Sequence, residues 1–228
     1  MKFDLIKINS FLLYIFPAAL ITGPLIPEII MGCVLLTTNY KIIREKKFYY
    51  YNNKFFYFCI VFWLYILLNS LISENIFWSL RTSVPYFRYL LFVVSIIYII
   101  KSNTNFLNNF TKVLILIISI VVLDLIFQYI FQKNILGFSG GVDLRYSGFF
   151  GEELILGSYL LRFLPLLYAL GLSQKILISK NKILIPIFLV FLFVIFITGE
   201  RTSLILYLLF IFTATFIILK NLKHRIAT

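Results

Sequence analysis

The stretch VLILIISIVVLDLIFQYIF, Val113–Phe131, carries a single carboxylate and no other charge. A helix of about 20 predominantly apolar residues is long enough to cross the hydrocarbon of a bilayer. Comparable runs recur along the whole chain. Its 228 residues are 61% hydrophobic and 13% charged, and the mean hydropathy is +0.99. A soluble domain carries roughly 45–50% apolar and about 25% charged residues. The reading is an all-α, polytopic membrane protein of about eight transmembrane helices, forming one transmembrane domain over 1–228 with no soluble domain.

Outward from Val113–Phe131, the chain continues through a polar loop, 132–150, into a span over Glu152–Leu172. A basic link, Ser173–Lys182, leads to spans Ile183–Thr198 and Thr202–Leu219, separated only by Gly199-Glu200-Arg201, and then to a basic tail. In the other direction lie the asparagine-rich loop Lys101–Lys112, a span over Val84–Ile100, a polar link holding Glu74, Trp78 and Arg81, and a span over Phe55–Ile72. The apolar run Phe11–Ile43 is too long for one crossing and is broken by Pro17, Gly23, Pro24 and Pro27. It divides into Ile8–Thr22 and Leu25–Ile43, with Glu28 near the positive end of the second helix. The first run has no small-residue cleavage site and reads as a retained span. Cys33 and Cys59 fall inside spans and read as small buried residues, with no disulfide or metal role.

The formal charge of +12 does not indicate nucleic acid, because the lysines sit in short links between apolar runs. With the amino terminus in the cytoplasm and eight spans, 13 of the 14 lysines face inward, and only Lys133 faces outward. That is the positive-inside pattern. The arginines run against it: of seven, only Arg44 and Arg225 face inward. Arg81, Arg145 and Arg201 sit in or beside outer links, and Arg88 and Arg162 lie within spans. Arginine keeps its charge and grips phosphate or carboxylate with a planar fork. The skew therefore predicts an outer-side site for an anion.

Each candidate has a plainer reading. Arg162, about 15 Å into a span that starts at Glu152, is either a ligand group or the structural partner of Asp124. Arg81 and Arg88 face one way if their helix starts near Ser79; otherwise Arg81 is an interfacial anchor and Arg88 snorkels. Gly137, Gly140, Gly141, Gly148 and Gly151 surround Arg145, and Glu152-Glu153 would open the following helix at its positive end. Glu200-Arg201 in the turn before Thr202 is either a functional pair or a surface ion pair, with Thr202 capping the last span. His224 lies in the basic tail. No metal, nucleotide or Ser-His-Asp pattern is present.

The segment Arg145-Tyr-Ser-Gly-Phe-Phe-Gly-Glu-Glu-Leu-Ile-Leu-Gly-Ser-Tyr-Leu-Leu-Arg162-Phe-Leu-Pro165, followed later by Thr198-Gly-Glu-Arg-Thr202, resembles the bacterial O-antigen polymerase/O-antigen ligase family. The resemblance implies cofactor-free, metal-independent, inverting glycosyl transfer at the periplasmic face of the inner membrane. The donor would be a glycan on undecaprenyl pyrophosphate. Arg145 and Arg201, with Glu200 beside the latter, stand where the family's catalytic groups would be. Arg162, Glu152, Glu153, Arg88 and Arg81 would line the substrate site. Family members continue into a large periplasmic loop and further spans, so this chain looks like an amino-terminal portion. A transporter or flippase of an anionic lipid or solute would use the same buried charges, and a membrane subunit without a site would need none of them.

Overall fold

The computed structural model describes residues 5–139, 145–174 and 181–226, the side chains of 181–186 and 217–226 excepted. Helices account for most of these residues: α1 (Leu5–Ala19), α2 (Leu25–Arg44), α3 (Lys54–Ile72), α4 (Ile76–Ser83), α5 (Phe87–Ser102), α6 (Phe106–Phe131), α7 (Leu156–Ser173), α8 (Asn181–Ile197) and α9 (Arg201–Ile226). Six segments are long and apolar enough to cross a membrane: Leu5–Thr22, Leu25–Arg44, Lys54–Ile72, Ile76–Ser102, Phe106–Phe131 and Leu156–Ser173. The described parts of α8 and α9 add shorter apolar helices, Ile187–Ile197 and Arg201–Phe216. The protein is thus an all-α polytopic membrane protein. Its surface agrees: Phe58, Ile72, Phe77 and Phe212 are each at least 68% exposed. Bilayer hydrocarbon covers such side chains, whereas water would leave a large sticky patch.

The chain forms two compact units, Met1–Phe110 and Thr111–Thr228. In the first, α1 packs on α2, α2 on α5, and α3 on α4 and α5. Val34, Ile42, Val94 and Ile99 are buried at its centre. Hydrogen bonds join the helices inside this core. Asn9 donates to Thr38 Oγ1 at 2.9 Å and accepts from Thr37 at 3.0 Å. Asn39 donates to Ser95 Oγ at 2.9 Å and accepts from Tyr51 at 2.5 Å. In the second unit α7, α8 and α9 pack together around Leu164, Ile195 and Tyr207. The Tyr207 hydroxyl donates to the Phe188 carbonyl at 2.9 Å, tying α9 to α8.

Several boundaries differ from the sequence reading. The link holding Trp78 and Arg81 is itself helical, as α4, and a 3-10 turn at Val84–Tyr86 containing Pro85 separates it from α5. A proline lacks the N–H that would continue the ladder, so Arg81 and Arg88 belong to two helices, not to one face of one helix. Helix α7 starts at Leu156, four residues after Glu152. Cys33 is exposed and Cys59 half-buried, and both are free thiols. Glu28 does stand in the first turn of α2.

The Asn39 contacts generate a stability prediction. Interhelical hydrogen bonds in membranes contribute about 0.6–2 kcal/mol. Asn39→Leu removes contacts to α5 and to Tyr51, and is expected to lower unfolding stability by about 1 kcal/mol in reversible detergent titrations. Ser95→Ala should lower it by less.

Candidate functional site

The two motif segments come together in the second unit. Gly199 takes φ +69, a left-handed conformation that favours glycine. The side chain of Arg145 lies across it: a Cβ built on Gly199 would stand 2.8 Å from Arg145 Cγ and 3.4 Å from Nε. Arg201 is two residues further on, at the first position of α9. Two steps of about 3.8 Å per residue keep its backbone within about 8 Å of the glycine on which Arg145 rests.

Glu200, between them in sequence, is 7% exposed, and its carboxylate is fully engaged. Oε1 accepts from the Gly157 N–H at 2.7 Å. Oε2 accepts from the Ser158 N–H at 3.0 Å, from Ser158 Oγ at 2.6 Å and from Ser203 Oγ at 2.7 Å. Gly157 and Ser158 are the second and third residues of α7, whose N-cap position is held by Ile155. Isoleucine has no oxygen with which to cap. Glu200 supplies the missing acceptor from a turn more than 40 residues away. The contact is close because residue 157 has no side chain: a Cβ there would lie 2.7 Å from Thr198 Oγ1 and 3.0 Å from Glu200 Cδ. Glu200 is therefore a positioning residue in this geometry, and the ion pair expected within the turn is not formed. Thr202 is already inside α9, so the cap position belongs to Glu200.

The loop bearing Arg145 is held from the other side by α6. Gln128 Oε1 accepts from the Gly148 N–H at 2.8 Å, and Asn134 Nδ2 donates to the Gly148 carbonyl at 2.8 Å. Asp124 Oδ1 accepts from the Ile135 N–H at 3.0 Å. Asn134 Oδ1 accepts from the Phe138 N–H at 2.8 Å. Tyr146, Ser147 and Gly148 are all buried, with Ser147 bonded to the Gly151 carbonyl. Tyr146 packs edge-on against Tyr129 at 5.4 Å and receives a hydrogen bond from Gln132 at 3.0 Å. Arg145 is half-buried, its side chain lying against Gly199. Its Nε is buried without a hydrogen-bond partner.

The remaining candidates divide. Asp124 is fully buried and bonded to the loop backbone, not to Arg162; its Oδ2 has no partner. Arg162 is exposed, four residues after Ser158 on the same face of α7. It lies six residues past Leu156, about 9 Å along the helix at 1.5 Å per residue, which corrects the 15 Å depth. Glu152 and Glu153 are exposed in a turn ahead of α7, outside its first turn. Arg88 does not snorkel alone: it pairs with Glu28 at 2.9 Å and donates to Tyr89 at 3.0 Å. Arg81 stacks over Trp78 at 5.3 Å, as an interfacial anchor does. Both belong to the first unit, and the other three arginines to the second. Among the described residues, none of Arg145, Arg162 and Arg201 pairs with a carboxylate. Gly140, Gly141 and Asp143 lie outside the described residues, as do the side chains of His224 and Arg225.

Gly157, Ser158, Ser203, Gln128 and Asn134 were missed as parts of the site. The shared face of Asp124 and Gln128, at i and i+4, was the one signal for the α6 contribution. For the rest, a helix opening on Gly-Ser with no polar cap residue was the available clue. Comparison of the chain with protein-family models, with curated proteins and with solved structures finds no match.

Two variants test the Glu200 anchor. Glu200→Gln turns one acceptor into a donor facing N–H and O–H groups, with an expected cost of about 1.5–3 kcal/mol. Gly157→Ala forces Thr198 and Glu200 apart and should cost about 1–3 kcal/mol. Because both break one contact, the double variant should lose less than the two losses added; thermal unfolding of the purified protein measures this.

Proposed function

We propose that the paired motif segments form an anion-holding site for glycosyl transfer from an undecaprenyl-pyrophosphate-linked glycan, in the manner of the O-antigen polymerases and ligases. The observation that carries the reading is the packing of Arg145 on Gly199, beside Arg201, with no carboxylate on either arginine among the described residues. Unpaired charge at the edge of a bilayer needs an anionic partner, and a pyrophosphate matches the guanidinium fork. In this reading Arg145 and Arg201 hold the leaving pyrophosphate as negative charge develops on it, which lowers the barrier electrostatically. Arg162, one turn along the Ser158 face of α7, supports a more deeply placed part of the lipid phosphate. Glu200 acts through α7 by fixing the frame. Glu152 and Glu153, exposed ahead of α7, are left to contact sugar hydroxyls. Arg88, neutralised by Glu28, and Arg81, stacked on Trp78, fall outside the core of the site.

The lysine distribution supports a cytoplasmic amino terminus and eight crossings; in this reading both motifs face the periplasm from a bacterial cytoplasmic membrane. The acceptor is a second lipid-linked repeat in a polymerase and lipid A-core in a ligase.

In a strain whose native gene is replaced by a variant, Arg145→Ala and Arg201→Ala should each abolish long surface polysaccharide while membrane levels stay normal. Arg→Lys at either position should restore little, because a point charge cannot replace the fork. Gel analysis of lipopolysaccharide reads the result, and unchanged polymer length in both alanine variants would overturn the proposal.

A further inference from the structure

Further along α7 than the Glu200 anchor lies an apolar cavity of about 280 Å³, bounded by α6, α7, α8 and α9, whose α7 lining runs from Leu164, two residues past Arg162, to Gly171. Its walls include Ile115 and Ile118 on α6, Leu167 and Gly171 on α7, and Phe188 on α8. Gly171 is 15 residues beyond Leu156, so the cavity reaches about 22 Å along α7 from the Glu200 anchor. Ile115 is 50% exposed and Ile187, also on the wall, 39% exposed. The cavity therefore opens sideways on a surface that the bilayer covers. The lining is mostly apolar, with Thr111, Ser119 and the unpartnered Tyr168 hydroxyl its polar groups, and a void of this kind beside lipid suits hydrocarbon better than bulk water.

The lining on α6 runs from Thr111 to Ser119, about 12 Å at 1.5 Å per residue. One leaflet of hydrocarbon is about 15 Å deep, half the bilayer core. The slot thus matches the depth of one lipid chain in one leaflet. Its end is marked by polar groups: Gln174 donates to Thr111 Oγ1 at 2.8 Å, and Lys112, the next residue, is exposed. An exposed lysine next in sequence to the end of a hydrocarbon slot favours an anionic headgroup there.

We propose that this cavity is a binding site for one acyl chain of an anionic glycerophospholipid, its headgroup at Lys112, in the leaflet opposite the arginine site. The inference is independent of the glycosyl-transfer reading. A lipid held by phosphate at Arg145 and Arg201 has its headgroup at the far end of α7 and would have to approach this slot from the wrong side. Occupancy fills the space between α6, α7, α8 and α9, so the bound chain acts as part of the core that supports the α7–α9 pair. The gain comes from dispersion contacts, since lipid tails are as apolar as the walls they meet.

The test uses the purified full chain in detergent with added dioleoyl phosphatidylglycerol, dioleoyl phosphatidylcholine or undecaprenyl phosphate. Phosphatidylglycerol should raise Tm by roughly 3–8 °C, and phosphatidylcholine by less than half of that. Ile115→Trp plugs the mouth and should remove the shift; Lys112→Glu should reduce phosphatidylglycerol to the phosphatidylcholine response. A phosphatidylglycerol with a diazirine at the chain terminus should label peptides of α6, α7 and α8 in the unaltered protein. This keeps the test decisive where Ile115→Trp fails to fold. A full shift in Ile115→Trp, an undecaprenyl phosphate shift that exceeds the phosphatidylglycerol shift and is lost in Ile115→Trp, or labelling confined to other helices would overturn the proposal.

Discussion

The second unit depends on a carboxylate that caps a helix it does not belong to. Four donors converge on Glu200, two of them main-chain N–H groups at the start of α7. Those N–H groups have no intrahelical partner, and in or near hydrocarbon water is a poor substitute. A negative charge at that point also meets the positive end of the helix dipole. Hydrogen bonding and electrostatics thus agree on one geometry, and it joins the turn before α9 to the start of α7. The glycine at 157 lets the turn approach, and the glycine at 199 lets the turn bend. A side chain at 157 would meet Thr198 and Glu200, and one at 199 would meet Arg145 itself.

A second set of contacts secures the other segment. Gln128 and Asn134 take the N–H and the carbonyl of the same residue, Gly148. Asp124 takes the N–H of Ile135. These side chains act as surrogate backbone for a loop that has no helix or sheet to satisfy it. The result is a loop whose buried residues are structural and whose arginine lies half-buried against Gly199. Glu200 on one side and Asp124 on the other are engaged by neutral donors, and among the described residues neither pairs with a guanidinium group.

The helices were legible because apolar runs of bilayer length admit few alternatives, and their order and approximate limits follow from Pro17, Gly23, Pro24 and the basic links. The contrast between lysine and arginine placement drew attention to Arg145 and Arg201, whose segments the structure brings together at Gly199. The wiring of the site was not legible. Glu152-Glu153 has the composition of a helix start, so α7 appeared to begin there; the cap is instead donated from Glu200, and no local pattern announces a partner more than 40 residues away. Asp124 looked like the mate of Arg162 because opposite charges at similar depth attract. The structure gives Asp124 a backbone N–H instead, which satisfies an oxygen without pairing ions. Arg88 was read as a possible ligand group because Glu28, 60 residues earlier, could not be placed beside it from sequence.

Arg201 occupies a position that helix electrostatics disfavours. It is the first residue of α9, where the macrodipole presents about half a positive charge, and a cation there is unfavourable by about 0.3–1 kcal/mol. No acidic residue stands in the first turn of α9. Glu200, at the cap position of α9, forms no ion pair with it; its carboxylate is shared between Ser203 of α9 and the N–H groups of α7. Arg145 brings a second guanidinium to the same turn. A stable scaffold with no ligand to hold gains nothing from this arrangement, since an uncharged side chain at either position would leave every hydrogen bond of Glu200, Gln128 and Asn134 in place. An anion bound between the arginines reverses the sign of each of these terms: the helix end, both guanidinium groups and the unpartnered Nε of Arg145 all then face negative charge. In the proposed reading this cost is relieved by the bound anion, and the relief grows with the charge of the ligand. A leaving diphosphate, whose charge increases as its bond to sugar breaks, draws more from that field than a neutral or singly charged solute does.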